Sequence, residues 1–246
     1  MTPAKHNRLA DVIFHIYLYR LFKKHFASFH LMDDFPSVDP NLPVLLIANH
    51  STWWDGFFIY FLNRTYFKRE LFVMMLEVQL SNFPFFTRLG AYGIHPESTA
   101  EVKASLRYTV KLLSKKTNSG VMVCIFPQGE MQTWSDSTVV FRRGIDVVIR
   151  KYQKPVTLLP LSIRAEFLQE QRPQVFFLFG QPEIVEATKF DGIVAFERVE
   201  EKLMQTLSNK INHGEQGKLI YRGKQSIHRR ILNRHSDVGK ETRWNT

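Results

Sequence analysis

The sequence is poor in cysteine: Cys124 is the only one among its 246 residues. A lone cysteine cannot form an internal disulfide, and it cannot build a zinc site from several thiolates. We therefore expect a reducing compartment for this chain. Cys124 lies within an apolar run, so we expect it to be an inert residue of the core. No spacing of other side chains indicates a catalytic metal.

Long apolar runs are also missing. A membrane-spanning helix needs about 20 predominantly apolar residues, whereas the best N-terminal run, residues 12–19, has eight and includes His15. A second apolar stretch, residues 54–62, is interrupted by Asp55. Residues 1–11 are not followed by the apolar region and small-residue cleavage site of a secretory signal. We predict neither a membrane span nor a signal peptide.

The composition is that of a folded protein with many aromatic side chains. Apolar residues make up 44% and charged residues 23% of the chain, which excludes disorder as its main state. A length of 246 residues favours one large α/β domain over two small ones. The 21 Phe, 8 Tyr and 4 Trp suggest contact with an apolar ligand or a membrane.

The net charge of +10 is concentrated at the two ends. Residues 1–32 carry a net +4 and residues 214–246 a net +5, whereas residues 33–213 hold 20 bases and 19 acids. Basic arms on a neutral body indicate an anionic partner, either a membrane surface or nucleic acid. No basic and aromatic residues interleave as in a nucleic-acid site, so we expect a membrane containing anionic lipids and no nucleic acid. The predicted location is peripheral, on the cytoplasmic face.

The N-terminal segment, residues 9–32, has the pattern of an amphipathic helix. Apolar side chains recur at spacings of three to four residues, and basic residues occupy other positions around the helix. Such a helix lies in a bilayer interface or packs on its own domain, and the segment alone does not decide between the two.

The rest of the chain alternates between predicted strands and helices. Short apolar runs predict buried strands at 44–48, 71–76, 121–126, 156–163 and 174–180. Helical patterns cover 57–62, 143–151 and 195–212, and a capping box at 98–101 begins another helix that runs to about residue 116. The expected fold class is α/β, a single domain with a largely parallel central sheet flanked by helices. Its divisions are an N-terminal helical segment (1–32), the α/β domain (33–213) and a basic tail (214–246), either mobile or a loosely docked helix.

Two polar segments follow predicted strands, residues 49–55 and 126–130, and ligands of α/β sheets bind beyond such strand ends. His50 and Asp55 are five positions apart, which on a continuous helix leaves their side chains roughly 140° apart. They meet only if His50 lies in the turn and Asp55 in the first helical turn. A buried Asp55 would then fix the imidazole tautomer and leave the other ring nitrogen as a base. Such a base takes a proton from a hydroxyl that attacks an ester or thioester carbonyl.

These segments resemble the motifs of the glycerolipid acyltransferase family, which includes 1-acylglycerol-3-phosphate acyltransferases. Residues 49–55 match its Asn-His-x-x-x-x-Asp motif, and Phe-Pro-x-Gly follows at 126–129. Gly144 and Pro160 resemble further family elements. The resemblance implies that His50 and Asp55 form the catalytic pair. Where the family usually has Ser two residues after the His, this chain has Thr52.

The chain departs from the family in two motifs that bind the acceptor. The second motif normally reads Gly-x-x-Phe-Ile-x-Arg, and Pro96 stands where its phosphate-binding Arg belongs. The third normally reads Phe-Pro-Glu-Gly-Thr-Arg, whereas this chain has Gln128, Glu130 and Met131 at its third, fifth and sixth positions. Two guanidinium groups are thus replaced, and one carboxylate is moved.

These replacements bear on the acceptor. Gln128, Gly129 and Glu130 are predicted to shape a pocket that suits neutral hydroxyls, such as those of a sugar. Arg142 and Arg143 offer an alternative grip for a phosphate. Asn49 and Thr52 complete the predicted substrate-binding set.

The sequence thus predicts an enzyme that moves a fatty acyl group from acyl-CoA or acyl-carrier protein to a hydroxyl of a lipid acceptor. The acceptor is a lysophospholipid or glycerolipid, or else a phosphate-free or glycosylated lipid, including glycosyl-carotenoids. His50 is the predicted general base and Asp55 orients it. The thioester supplies the driving force, so no cofactor is expected. The alternative is a non-catalytic membrane lipid-binding protein on the same fold.

Overall fold

A nine-stranded mixed sheet organises the residues that the computed structural model describes, 1–134 and 139–224. In chain order its strands are β1 (Ser28–Leu31), β2 (Val44–Ala48), β3 (Glu70–Leu76), β4 (Ala91–Ile94), β5 (Val121–Ile125), β6 (Val156–Glu166), β7 (Gln174–Phe179), β8 (Glu183–Val185) and β9 (Lys218–Arg222). The order across the sheet is β4-β3-β5-β2-β6-β7-β1-β9, and β8 pairs with β6 beside this path.

The half of the sheet from β4 to β6 is parallel throughout. Antiparallel pairs join β6 to β7, β6 to β8 and β1 to β9. The predicted fold class, an α/β domain with a largely parallel central sheet, is therefore confirmed. β6 runs three residues beyond its predicted end because β7 continues to pair with it up to Glu166.

Helices cover both faces of the sheet. They are α1 (Arg8–His25), α2 (Asp55–Leu62), α3 (Glu77–Asn82), α4 (Thr99–Leu113), α5 (Gly144–Tyr152) and α6 (Val194–Asn212). A π-helical turn, Asn63–Phe67, extends α2, and a 3-10 helix, Pro84–Leu89, follows α3. The backbone N–H of Glu101 donates to Ser98 Oγ, as the predicted cap of α4 requires.

β2 shows how the sheet separates two cores. Leu46 and Ala48 face the cluster that contains the aromatic side chains of α1 and α2. Leu45 and Ile47 face the opposite cluster, which contains α4, α5 and the start of α6. All five residues of β2 are buried, because successive strand residues point to opposite faces and both faces are covered.

The helix predicted over residues 9–32 is wrong in its last part. α1 ends at His25, and Phe26 already has an extended backbone. Ser28–Leu31 forms β1, which pairs with β7 on one side and β9 on the other. The Phe residues continue a helical spacing, but two neighbouring strands supply better hydrogen-bond partners for this backbone. The segment 1–32 therefore contributes a strand to the central sheet.

α1 packs on its own domain, which is one of the two arrangements that its pattern allowed. Its inner face is part of the core, where Phe14, Leu18 and Phe22 are buried. Its outer face leaves large apolar side chains exposed, namely Leu9, Val12, Ile13, Ile16 and Tyr17. No helix within residues 1–134 and 139–224 is long and apolar enough to cross a membrane.

The start of the predicted tail, residues 214–246, also belongs to the sheet. β9 pairs with β1, and Tyr221 is buried with its ring 4.8 Å from that of Phe29. The expectation of a mobile tail or loose helix is wrong for this stretch, because β1 would otherwise be an open sheet edge. Residues 225–246, which hold the rest of the predicted tail, lie outside the described residues.

Candidate active site

His50 and Asp55 lie at the carboxyl end of β2, next to the end of β5. His50 stands in the turn after β2, and Asp55 is the first residue of α2. This is the arrangement in which their side chains can meet. His50 Nδ1 donates to Asp55 Oδ2 across 2.8 Å.

Asp55 is held by four donors. Besides His50 Nδ1, its Oδ2 accepts the backbone N–H groups of Ser51 and Thr52, each at 2.9 Å. Its Oδ1 accepts the Thr52 hydroxyl at 2.6 Å. The carboxylate has none of its surface exposed, and its position at the N-terminus of α2 favours negative charge. The predicted substrate contact Thr52 thus fixes the orientation of Asp55.

The imidazole of His50 is both packed and accessible. Its ring stacks on Phe126 at a centroid distance of 4.4 Å, and 24% of its side chain is exposed. Nε2 makes no hydrogen bond to any residue within the described ranges. Because Nδ1 bears the hydrogen that is donated to Asp55, Nε2 is the unprotonated nitrogen of neutral His50 and is free to accept a proton.

Asn49 joins the ends of two strands. Its Oδ1 accepts the backbone N–H of Ile163 at 2.7 Å, and its Nδ2 donates to the Ile163 carbonyl at 3.0 Å. Only 1% of Asn49 is exposed, so its amide faces the protein rather than solvent. The contacts favour a structural role, fastening the backbone next to His50 to β6.

Gln128 connects the loop after β5 to the same turn. Its Oε1 accepts the backbone N–H of His50 at 2.7 Å, and its Nε2 donates to Gln132 Oε1. The backbone N–H of Gln132 in turn donates to the His50 carbonyl at 2.8 Å. Gln128 is 6% exposed, so its side chain holds the loop against His50.

Arg142 lies beside this loop. Gly129 has a φ of +80°, and a Cβ added there would lie 2.3 Å from Arg142 Nε. Both predicted arginines are exposed; Arg142 lies against Gly129, whereas Arg143 occupies the N-cap position of α5. Glu130 and Met131 are exposed on the same loop.

α6 fastens the far part of the loop, a feature that the sequence did not reveal. Glu201 accepts the backbone N–H of Val139 at 3.0 Å, and Glu197 accepts that of Phe141 at 2.8 Å. Trp134 Nε1 donates to Ser208 Oγ at 3.0 Å, one further contact between loop and helix. Glu197 and Glu201 are four residues apart on the predicted helix 195–212. Their backbone partners lie about 60 residues away in the sequence, so no local pattern indicates these contacts.

A groove of about 530 Å³ lies on the α1 side of the fold. It is lined by Trp53 and Phe57 at the start of α2, by Ile13 and Tyr17 of α1, and by residues 82–86. Trp53 is 54% exposed and stands three residues from His50. The groove is therefore an apolar space whose lining includes residues that follow the His50 turn in the chain.

The remaining motif residues lie around this centre. Pro96 is exposed beyond the carboxyl end of β4, which lies three strands away from β2 in the sheet. The Pro160 carbonyl accepts the backbone N–H of Gly180 at 3.0 Å, and Gly144 begins α5 against Leu106. Cys124 is fully buried in β5, and burial raises the pKa of its thiol. Within residues 1–134 and 139–224, no group of His, Cys, Asp or Glu could hold a metal ion.

Comparisons with known proteins bear on this arrangement. A family model described as Acyltransferase matches residues 27–164. A 1-acyl-sn-glycerol-3-phosphate acyltransferase from Streptococcus pneumoniae is 25% identical over 192 residues, 75% of this chain and 63% of that protein. The chain thus spans less than two thirds of that relative's length. The crystal structure of the 1-acyl-sn-glycerophosphate acyltransferase PlsC from Thermotoga maritima shares the fold, with a TM-score of 0.50, 15% identity and coverage of 83% of this chain and 84% of that one.

Proposed function

We propose that this chain, which belongs to the glycerolipid acyltransferase family, transfers a fatty acyl group from acyl-CoA or acyl-carrier protein to a hydroxyl of a lipid. The observation that carries the proposal is the contact of 2.8 Å between His50 Nδ1 and the fully buried Asp55. A base oriented by a buried carboxylate, with its second nitrogen accessible, suits deprotonation of a hydroxyl.

In the proposed reaction, Nε2 of His50 takes the proton of the acceptor hydroxyl as its oxygen attacks the thioester carbonyl. The new C–O bond gives a tetrahedral intermediate. Its collapse breaks the C–S bond, the thiolate takes the proton back from His50, and the ester is released. Asp55 stabilises the imidazolium that exists between these steps. The thioester supplies the free energy, so the proposal needs no cofactor.

The apolar groove is the proposed site of the acyl chain. It includes Trp53, three residues after His50 in the chain, and continues between Tyr17 and residues 82–86. Each buried CH₂ group contributes roughly 0.8 kcal/mol to binding. An aromatic and aliphatic lining of this kind therefore binds a fatty chain while the carbonyl carbon stays beside Nε2.

The exposed apolar face of α1 supports peripheral binding to a membrane. Ile16 is 51% exposed and Tyr17 57% exposed, and Tyr17 also lines the groove. Arg8, Arg20 and Lys24 on or near the same helix are exposed and suit anionic lipids. We propose that this face rests on the cytoplasmic leaflet, so that the acceptor reaches His50 from the bilayer.

The proposed acceptor is a neutral, hydroxyl-bearing lipid such as a glycolipid. Pro96 and Met131 replace two arginines that the family pattern uses, and the exposed Glu130 adds a negative charge to the same loop. Even one lost charge-assisted contact costs about 1.5–3 kcal/mol. A phosphate dianion would therefore bind at least about tenfold more weakly than in a site with both arginines.

One observation favours a second acceptor. Arg142 lies against Gly129, in the loop whose Gln128 contacts His50. A guanidinium in that place offers a bidentate grip for phosphate from a different part of the chain. The relative from Streptococcus pneumoniae is named for a phosphate-bearing acceptor. Lysophosphatidate is thus the competing candidate.

The first experiment tests acyl transfer itself. Purified wild type and His50→Ala are incubated with labelled acyl-CoA or acyl-carrier protein and a panel of lipid acceptors. We expect transfer by the wild type and a loss of about 10²- to 10⁴-fold in His50→Ala. His213→Ala, which alters an exposed His at the end of α6, should match the wild type. Lipid binding without any His50-dependent transfer would instead identify a non-catalytic lipid-binding protein.

The second experiment tests the acceptor. It compares kcat/KM for a monoacyl glycolipid and for lysophosphatidate in the wild type and in the double variant Arg142→Ala/Arg143→Ala. We expect the neutral lipid to be preferred and the double variant to retain that activity. Strong lysophosphatidate activity that collapses in the double variant would refute the neutral acceptor and leave acyl transfer intact.

A further inference from the structure

Glu200 is a buried carboxyl group that the proposed chemistry does not use. It lies on α6 with none of its surface exposed. A buried Glu is usually paired with a cation, because an isolated charge in the interior is costly. Within residues 1–134 and 139–224, no ion pair involves Glu200.

The polar contacts of Glu200 lead to the strand ends at the active site. Ser162, in β6, donates its hydroxyl to Glu200 Oε1 across 2.7 Å. The backbone N–H of Asn49 also acts on the carboxyl group and favours its charged form. The second oxygen, Oε2, is buried and makes no hydrogen bond of ordinary geometry within the described residues.

Asn49 links this carboxyl group to the base. Its side chain makes two hydrogen bonds to the backbone of Ile163, the residue after Ser162, and the next residue in the chain is His50. We propose that Glu200 is a positioning residue, a fully buried carboxyl group that holds the Asn49–His50 backbone through Asn49 and Ser162. This inference rests on the proposed function of His50.

The protonation state follows from burial. Desolvation raises the pKa of Glu200 to about 8, and the contacts with Ser162 and Asn49 oppose this shift more weakly. Glu200 is therefore a neutral acid at pH 7, and at higher pH it becomes a buried charge without a cation. The titratable groups on the surrounding elements bind partners other than Glu200. Glu197 and Glu201 accept backbone N–H groups of the loop, Arg164 binds Glu166, and His50 binds Asp55.

The first test is a pH profile of acyl transfer. Glu200→Gln mimics the neutral acid and cannot ionise, so kcat at pH 7 should stay within about threefold of the wild type. Above pH 8, kcat of the wild type should fall, whereas Glu200→Gln should not show this fall. Glu200→Ala should lose at least about tenfold in kcat with KM changed less than threefold. The control Glu215→Gln, in the exposed turn after α6, should keep the wild-type profile.

A second measurement does not depend on activity. The Cε1–H signal of His50 in an NMR titration, assigned by its loss in His50→Ala, should move near pH 8 in the wild type but not in Glu200→Gln. If Glu200→Ala does not fold, the Gln variant and this titration decide. A movement of the His50 signal near pH 8 that persists in Glu200→Gln would overturn the positioning role. A fall of kcat above pH 8 in Glu200→Gln equal to that of the wild type would do the same. A wild type that shows the shift but transfers no acyl group would refute the proposed function alone.

Discussion

Replacing Asp55 by Asn removes one charge while keeping the hydrogen-bonding shape of the site. If the amide oxygen takes the place of Oδ2, it still accepts from His50 Nδ1 and from the backbone N–H groups of Ser51 and Thr52. The amide NH₂ then faces the Thr52 hydroxyl, which can turn to accept. We therefore expect Asp55→Asn to fold normally and to keep the productive tautomer of His50.

The expected loss in rate comes from the imidazolium that forms during transfer. Exchanging a charge-assisted hydrogen bond for a neutral one costs about 1.5 kcal/mol. The Coulomb energy of two unit charges 4 Å apart is about 4 kcal/mol at an effective dielectric constant of 20. The two figures bound the fall in kcat of Asp55→Asn at about 10-fold to 10³-fold.

The assay is steady-state transfer from labelled acyl-CoA, with circular dichroism to verify folding. Asp39→Asn is the control, because this exposed carboxylate accepts a local backbone N–H, that of Asn41, and lies outside the site. A kcat for Asp55→Asn equal to that of the wild type would refute stabilisation of the imidazolium by Asp55. A loss beyond about 10⁴-fold would show instead that the amide turns its NH₂ toward His50 and imposes the wrong tautomer.

Three further predictions concern stability and membrane binding. Asn49→Ala leaves the buried N–H and C=O of Ile163 without partners, so the free energy of unfolding in urea should fall by about 2–5 kcal/mol; a loss below 1 kcal/mol would contradict this. Ile16→Ser should weaken binding to anionic vesicles about tenfold in a sedimentation assay, whereas Val199→Ser, exposed on the opposite face, should not; equal binding by both would exclude the α1 face. Glu200 has a pKa of about 8 in the folded state and near 4.5 in the unfolded chain, so folding is less favourable as pH rises between these values. Between pH 5 and 8 the free energy of unfolding of the wild type should therefore decline relative to Glu200→Gln, by at most about 1.4 kcal/mol per pH unit. Parallel plots of the free energy of unfolding against pH for the two proteins would contradict this.

The strands that could be predicted are those with a local signal. β2 and β5 are continuous apolar runs bounded by polar turns, and both were located within one residue. β1 was hidden because its Phe29 continues the helical spacing of α1. Its pairing partners, β7 and β9, lie more than 140 residues further along the chain. Such long-range hydrogen bonds leave no trace in local periodicity.

The same division holds at the site. His50 and Asp55 are only five residues apart, so their spacing predicts that they meet if His50 lies in the turn and Asp55 in the first turn of the helix. The structure has this arrangement. The contacts of Gln128 with His50 and of α6 with the loop after β5 join residues far apart in sequence. Sequence chemistry identified Gln128 as part of the site, but its partner depends on how the two strand ends are placed side by side.

The fastening of the loop by α6 has a consequence for synthesis of the chain. Glu200 and His50 are 150 residues apart, which at about 5–20 residues per second means roughly 8–30 s of translation. Until α6 emerges, the residues that it contacts in β6 and in the loop are without those partners. The nascent chain therefore completes the support of the Asn49–His50 turn only late in synthesis, and until then the apolar surface that α6 covers is exposed and prone to aggregation.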